Sequence, residues 1–160
     1  MSKCLVNFLN LDQSLQEKTR DWRNLPQVAE FFQIDYIPLE VHLKWLESLK
    51  SIKPRSVAFM IRVDSNNVGV TYLQRIEYEE KTCDWGIYIH DLSCRGKGLG
   101  SWALEECLRY AKGKLGVEKV GLEVLIQNDR GVAVYHKAGF EESKRFLSGS
   151  KIVVRMEKAL

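Results

Sequence analysis

The residues with the most evident chemistry lie in one short stretch, Ser93-Cys94-Arg95-Gly96-Lys97-Gly98-Leu99-Gly100-Ser101. A strand-like run, Cys83–Ile89, precedes it and a long amphipathic helical pattern follows. Alternate glycines in a turn that opens a helix let a ligand approach the backbone, because no Cβ stands in the way. The free N–H groups of the first helical turn point at such a ligand, and the helix start carries partial positive charge. Arg95 and Lys97 add two full charges beside it. We read the stretch as a pyrophosphate cradle.

Glycine spacing narrows what carries the phosphates. A nucleotide-hydrolysing loop needs Gly-x-x-x-x-Gly-Lys followed by Ser or Thr, whereas Lys97, the only lysine of the turn, is followed by Gly98. A dinucleotide-binding turn needs Gly-x-Gly-x-x-Gly directly after its strand. Here the pattern is Gly96-x-Gly98-x-Gly100, several residues beyond Ile89 and behind an expected antiparallel meander. A plain turn that uses glycine only to bend would leave the flanking cations idle.

A cradle between a strand end and a helix start needs a defined succession of elements. Leu5–Leu9 reads as an opening strand. Ser14, with Glu17 three residues on, has the form of a capping box for a helix carrying Leu15, Thr19, Trp22 and Arg23. Asn24-Leu25-Pro26 breaks that helix. A second helical piece spans Gln27 to Phe32, and a third has Pro38 at its first position and an apolar stripe of Val41, Leu43, Trp45, Leu46 and Leu49. From Ser56 the period shortens: Ser56–Val63, Val68–Ile76 and Cys83–Ile89 read as a three-stranded meander, with Asp64–Asn67 as the first turn.

Beyond the cradle, Leu104, Leu108, Ala111 and Leu115 mark the inner stripe of a long helix ending at Gly116, with Glu105 and Arg109 as an i,i+4 pair. Lys119–Leu125 is the next strand, and strand, helix, strand at this length implies a parallel pair with a right-handed crossover. Asn128-Asp129 caps a short helix closing at Gly139, Phe140 begins another strand, and Lys151–Met156 completes the sheet. The expected architecture is one α+β domain: a mixed, mostly antiparallel sheet with helices on both sides. Its cradle falls where a parallel pair interrupts the antiparallel pattern, a place where ligands are expected.

The chain has 160 residues, with 24 Lys and Arg against 21 Asp and Glu, a net charge of +3. That balance gives no argument for nucleic acid, while the cations gathered at the turn favour a compact anion. No apolar run approaches the ~20 residues of a membrane span, and no basic-then-apolar leader is visible. Cys4, Cys83, Cys94 and Cys107 lack Cys-x-x-Cys spacing, and His42, His90 and His136 are scattered. No metal site is expected, and reduced thiols in a cytoplasm are the default reading.

Two blocks together carry a family resemblance. Arg95-Gly96-Lys97-Gly98-Leu99-Gly100 resembles the Arg/Gln-x-x-Gly-x-Gly/Ala signature of the GNAT superfamily of acetyl-CoA-dependent N-acetyltransferases. Asn128–Phe140 is similar to that family's Asn-x-x-Ala-x-x-x-Tyr-x-Lys-x-Gly-Phe, with Gly131 where alanine is usual. The resemblance covers Val57 to Met156 and implies the GNAT fold with acetyl-CoA as co-substrate. It implies that Arg95, Gly96, Lys97, Gly98, Leu99, Gly100 and Ser101 hold the pyrophosphate, with Asn128 and Lys137 also on the coenzyme. It further implies that Trp85–Ile89 splays from Leu122–Leu125 and that the pantetheine arm fills the gap. A backbone N–H of Ile87, Tyr88 or Ile89 would then face the thioester carbonyl, and Tyr135 would protonate the departing thiolate.

Acetyl transfer to an amine needs a neutral nitrogen, a held thioester, donors for the developing oxyanion and a leaving thiolate. Glu123 is the candidate base, with Asp84 and Glu77 as alternatives. His42 and His90 read as structural rather than basic groups. For the acceptor, Asp21–Pro26 and Val41–Leu46 resemble the Arg-Asn-x-Pro and His-x-x-Trp/Phe pattern of a branch that includes N-acetyltransferases of a UDP-linked 4-amino sugar in pseudaminic acid biosynthesis. Arg23, His42, Gln74 and Arg75 would meet a nucleotide diphosphate, and Trp22, Tyr72 or Tyr88 would stack on a base or sugar. The alternative acceptors are a protein N-terminus of the ribosomal-protein type or another small amine. A non-catalytic acyl-CoA sensor is the other class of reading, and a homodimer is an expected assembly.

Overall fold

The computed structural model describes residues 1–160. In chain order the elements are β1 (Lys3–Asn7), α1 (Gln13–Arg23), α2 (Pro26–Ala29), α3 (Leu39–Ser48), β2 (Val57–Val63), β3 (Asn66–Glu77), β4 (Thr82–Ile89), α4 (Leu99–Leu115), β5 (Lys119–Leu125), α5 (Asp129–Lys137), β6 (Glu141–Ser148) and β7 (Lys151–Ala159). Short 3-10 turns stand at Phe8–Asn10 and Leu92–Cys94. All seven strands form one sheet in the order β1-β2-β3-β4-β5-β7-β6. Only β4 and β5 run parallel. The architecture is the expected α+β one.

Helices cover both faces, so the central strands are apolar along their length instead of alternating. On β2, Val57 and Phe59 pack with Leu104, Cys107 and Ala111 of α4. Ala58 and Met60 point the other way, toward Phe8, Val28 and Leu46 of the N-terminal helical layer. The β2–β3 connection is a two-residue turn in which Asp64 and Ser65 take φ 49° and 69°. Two positive φ values match the twist of a hairpin, and among residues with a Cβ short polar ones such as Asp adopt them most readily. Asn66 and Asn67, expected in the turn, already belong to β3.

Four local expectations are corrected. Asp12, not Ser14, caps α1: its carboxylate accepts from the Leu15 N–H at 2.8 Å, and the Ser14 hydroxyl donates to the same oxygen. A charged acceptor one residue ahead of the helix outcompetes a hydroxyl inside its first turn. α2 is only four residues long, and Pro38 is the cap of α3, outside its first turn. Arg109 pairs with Glu106 one turn away instead of Glu105.

Positioning of the site follows from one register. β4 and β5 pair at Thr82–Lys119, Cys83–Val120 and Asp84–Gly121, and the pairing ends there. From Leu122 onward β5 continues against β7 only, and from Trp85 onward β4 continues against β3 only. The two strands therefore part like a fork at mid-sheet. α4 starts above the open end of β4, and α5 starts just beyond the end of β5.

Candidate active site

The glycine turn sits at the open end of the fork. Gly96 and Gly98 have φ 73° and 77°, a region costly to residues with a Cβ, and Gly98 is the cap of α4. No side chain caps this 17-residue helix, and its first turn holds no acidic residue. Its leading N–H groups therefore face outward as donors, as an anion cradle requires. A Cβ at Gly98 or Gly100 would meet nothing within 4 Å, so the turn is open on the side a ligand would approach.

Below the turn runs a cleft of about 340 Å³, walled by Ile87, Tyr88 and Ile89 of β4 and by Asn128, Val134 and Tyr135 at α5. Leu99, Gly100 and Ser101 line it from α4. Arg95 also borders it, but its guanidinium turns inward: Nε and Nη2 donate to the Ile89 carbonyl at 3.0 and 2.8 Å, and Nη2 to that of Gln27 at 3.2 Å. In this conformation it ties the end of β4 to the N-terminal layer. Lys97 and Lys137 are exposed and line no part of the cleft.

Arg130, which sequence reasoning passed over, lines the cleft instead, with Nη1 3.5 Å from where a Cβ of Gly96 would stand. Its position two residues after the cap of α5 was the available signal, since a first-turn cation projects from the helix start. Asn128 caps α5 by accepting from the Gly131 N–H at 3.0 Å. Glycine at 131 lets that amide lie close, since a Cβ would come within 2.7 Å of Asn128 Nδ2.

Tyr135 lines this cleft and a second one of about 150 Å³ on the other side of the fork. Its ring meets Trp85 edge-on, with centroids 5.7 Å apart, and a second edge contact goes to Phe140 at 6.5 Å. Burial pushes its phenol up to about 12, so it is a hydrogen-bond donor throughout the neutral range. Along the fork, the β4 backbone groups turned toward β5 have no strand partner beyond Asp84. These are the groups a bound chain-like arm would meet.

The second cleft carries Glu123, Asp84, Gln74 and Arg75. Glu123 Oε1 accepts from Gln33 Nε2 at 2.8 Å, while Oε2 faces Arg155 Nη1 at 3.3 Å and Arg75 Nη1 at 3.5 Å. Three of its roughly four lone-pair sites are taken, leaving one on Oε1. Glu77 is paired with Arg55 and lies outside the clefts.

A third cleft of about 190 Å³ adjoins the second across Tyr72 and Gln74 and is walled by Arg23, His42, Trp45 and Tyr88. Arg23 lies 3.8 Å above the Phe32 ring and donates from Nη2 to the Ile34 carbonyl at 2.8 Å, while its Nη1 is buried without a partner. Burial lowers its pKa, as expected for a partly desolvated cation. The Tyr72 ring lies over Gly86, where a Cβ would collide with it, and burial pushes its phenol up to about 12. Tyr88 donates to the Thr19 carbonyl at 3.1 Å.

Neither histidine has the surroundings of a base. His42 is held between α1 and α3 by the Gln16 carbonyl at 3.1 Å, and burial lowers its pKa. His90 bonds the Asn67 carbonyl at 2.9 Å and stacks at 3.9 Å on Trp22, so Trp22 already has a ring partner. No group of three or more His, Cys, Asp or Glu side chains is placed to hold a metal. No helix is long and apolar enough to cross a membrane.

The fold has known counterparts. The model of the "Acetyltransferase (GNAT) domain" family matches residues 9–141. The acetyltransferase PseH of Campylobacter jejuni is 28% identical over 145 residues, 89% of this chain and 88% of that one. Its crystal structure with acetyl coenzyme A superposes with a TM-score of 0.71 at 20% identity, covering 99% of each chain. The spermidine N-acetyltransferase of Vibrio cholerae, in complex with CoA and spermine, superposes at 0.83 with 19% identity over 98% of this chain and 95% of that one. With the family's pattern spanning most of its length and a forked sheet between glycine turn and tyrosine, this chain belongs to the GNAT acetyltransferases and is an N-acetyltransferase.

Proposed function

We propose that the chain acetylates the 4-amino group of a UDP-linked amino sugar, with acetyl-CoA as donor. The observation that carries the donor half is the fork. It opens between an uncapped, glycine-led helix start and a phenol that stays protonated, and its lips have unpaired backbone groups. Those features fit acetyl-CoA: the first turn of α4 with Arg130 would hold its pyrophosphate, and the β4 lip would hold its arm. Bound there, the co-substrate supplies an activated acetyl group.

The chain's own residues do the rest. An N–H of Ile87–Ile89 steadies negative charge developing on a carbonyl oxygen. The Tyr135 hydroxyl donates its proton to a departing thiolate, a transfer that needs a protonated phenol at neutral pH. Glu123, oriented by Gln33 and Arg155 with one lone pair free, takes the proton of the entering ammonium.

The acceptor half rests on the second and third clefts and on the resemblance to PseH. Arg23 brings a partly desolvated cation to the wall of the third cleft, which favours an anionic group there, and Tyr72 and Tyr88 supply flat walls. Arg23 on the wall of the third cleft disfavours a polycation there, while Arg75 is balanced by Asp84 and Glu123. We place the reaction in the cytoplasm, where nucleotide sugars are at hand. The test is CoA release against UDP-4-amino sugars, peptides and polyamines. Turnover is expected with the first group, and preferential turnover of spermidine or of a peptide N-terminus overturns the acceptor assignment.

A further inference from the structure

Five charged side chains from four adjacent strands meet at the point where β4 and β5 part, Glu157 of β7 facing Arg155 Nη2 at 3.5 Å. Arg155 of β7 reaches across β5 and grips Asp84 of β4 with both arms, Nη2 to Oδ1 at 2.9 Å and Nη1 to Oδ2 at 3.1 Å. The same Nη1 lies 3.3 Å from Glu123 Oε2 on β5. Asp84 is the last β4 residue paired with β5, and Glu123 stands two residues beyond its partner Gly121. Arg75 joins from β3 at 3.2 Å to Asp84 and 3.5 Å to Glu123, from a bulge where its own φ is 51°. Its side chain is 63% exposed, against 20% for Arg155, so Arg155 is the fixed member and Arg75 the outer one.

Gly121 makes this possible. A Cβ there would collide with Arg155 Nη2 and stand 2.8 Å from Asp84 Oδ1. β5 is thus notched where the guanidinium crosses it.

We propose that Arg155 is a positioning residue, a cross-brace that fixes how far β4 and β5 stand apart and so sets the width of the slot beyond Asp84. A planar guanidinium held through both terminal nitrogens resists rotation, and a single ammonium has no equivalent geometry. The lips beyond the brace have no ladder of their own to hold their spacing. The inference rests on the reading that the slot receives the pantetheine arm.

The test compares two ligands by calorimetry: CoA, and adenosine 3′-phosphate 5′-diphosphate, which lacks the arm and reaches only the glycine turn. Arg155→Lys keeps the charge that Asp84 needs but loses the bidentate grip. Gly121→Ala keeps every charge and displaces the guanidinium. Either folded variant should bind CoA roughly tenfold more weakly, equivalent to about 1.4 kcal/mol, and bind the fragment as wild type does. Equal weakening of both ligands, or of neither, overturns the brace. Wild-type protein that binds CoA no more tightly than the fragment overturns the slot reading itself.

Discussion

At the scale of one residue, Tyr135 separates binding from chemistry most cleanly. Its ring is packed against Trp85 and Phe140, and in the proposed reaction only its hydroxyl takes part. Tyr135→Phe keeps the ring and removes the proton donor. The expected result is a kcat lower by roughly a hundredfold, with CoA affinity by calorimetry unchanged. Wild-type turnover would remove the hydroxyl from the reaction. Because burial pushes the phenol up to about 12, the donor stays loaded past the ordinary tyrosine value of 10.0. The wild-type rate profile should therefore lack an alkaline limb from this group up to that pH.

At the scale of an element, the start of α4 shows that neighbouring glycines serve different needs. Gly98 is required by its backbone, at φ 77°, whereas Gly100 lies inside the helix with an ordinary φ and open space around it. Gly98→Ala should cost about 1–2 kcal/mol of stability and weaken CoA binding as well. Gly100→Ala should fold as well as wild type or better, since alanine favours a helix, and lose affinity only because a methyl group meets the ligand. Urea unfolding alongside CoA titration distinguishes the two, and equal stability losses would refute the distinction.

This same element was readable in the sequence because its signals are local: glycine at the turn, apolar residues at helical spacing, Gly116 at the stop. So were β5, matched from Lys119 to Leu125, and α5 with its Asn128 cap. What escaped depends on residues far apart in the chain. Arg95 turns from the ligand side because carbonyls at Ile89 and Gln27 converge on it, the second 68 residues away. Arg155 meets Asp84 across 71 residues, through a strand order that inserts β7 between β5 and β6. Local pattern gave the antiparallel β2-β3-β4 meander and the parallel β4–β5 pair, but not the insertion of β7 between β5 and β6. A brace spanning four strands leaves no trace in spacing.

Across the whole molecule, the sheet and α4 seal two thiols between them. Cys83 of β4 and Cys107 of α4 lie in the same core cluster and are 2% and 0% exposed, whereas Cys4 is exposed and Cys94 half-buried. Burial pushes the Cys83 thiol up to about 12 and that of Cys107 to about 11, from an ordinary 9.0. The unfolded chain therefore releases these protons near pH 9, while the native protein keeps them. By linkage their contribution to stability is complete below pH 9 and is lost as pH rises through the native values, at up to about 1.4 kcal/mol per pH unit for each thiol. Tyr72, Tyr88 and Tyr135 are raised by burial in the same direction from 10.0 and join the fall from about pH 10 upward. Unfolding free energy measured in urea should thus be flat from neutrality to pH 9 and fall steeply above it. Cys83→Ala should flatten that fall by one thiol's share, despite its own loss of packing. An alkaline slope identical in Cys83→Ala and wild type would show that the core thiols are not its source.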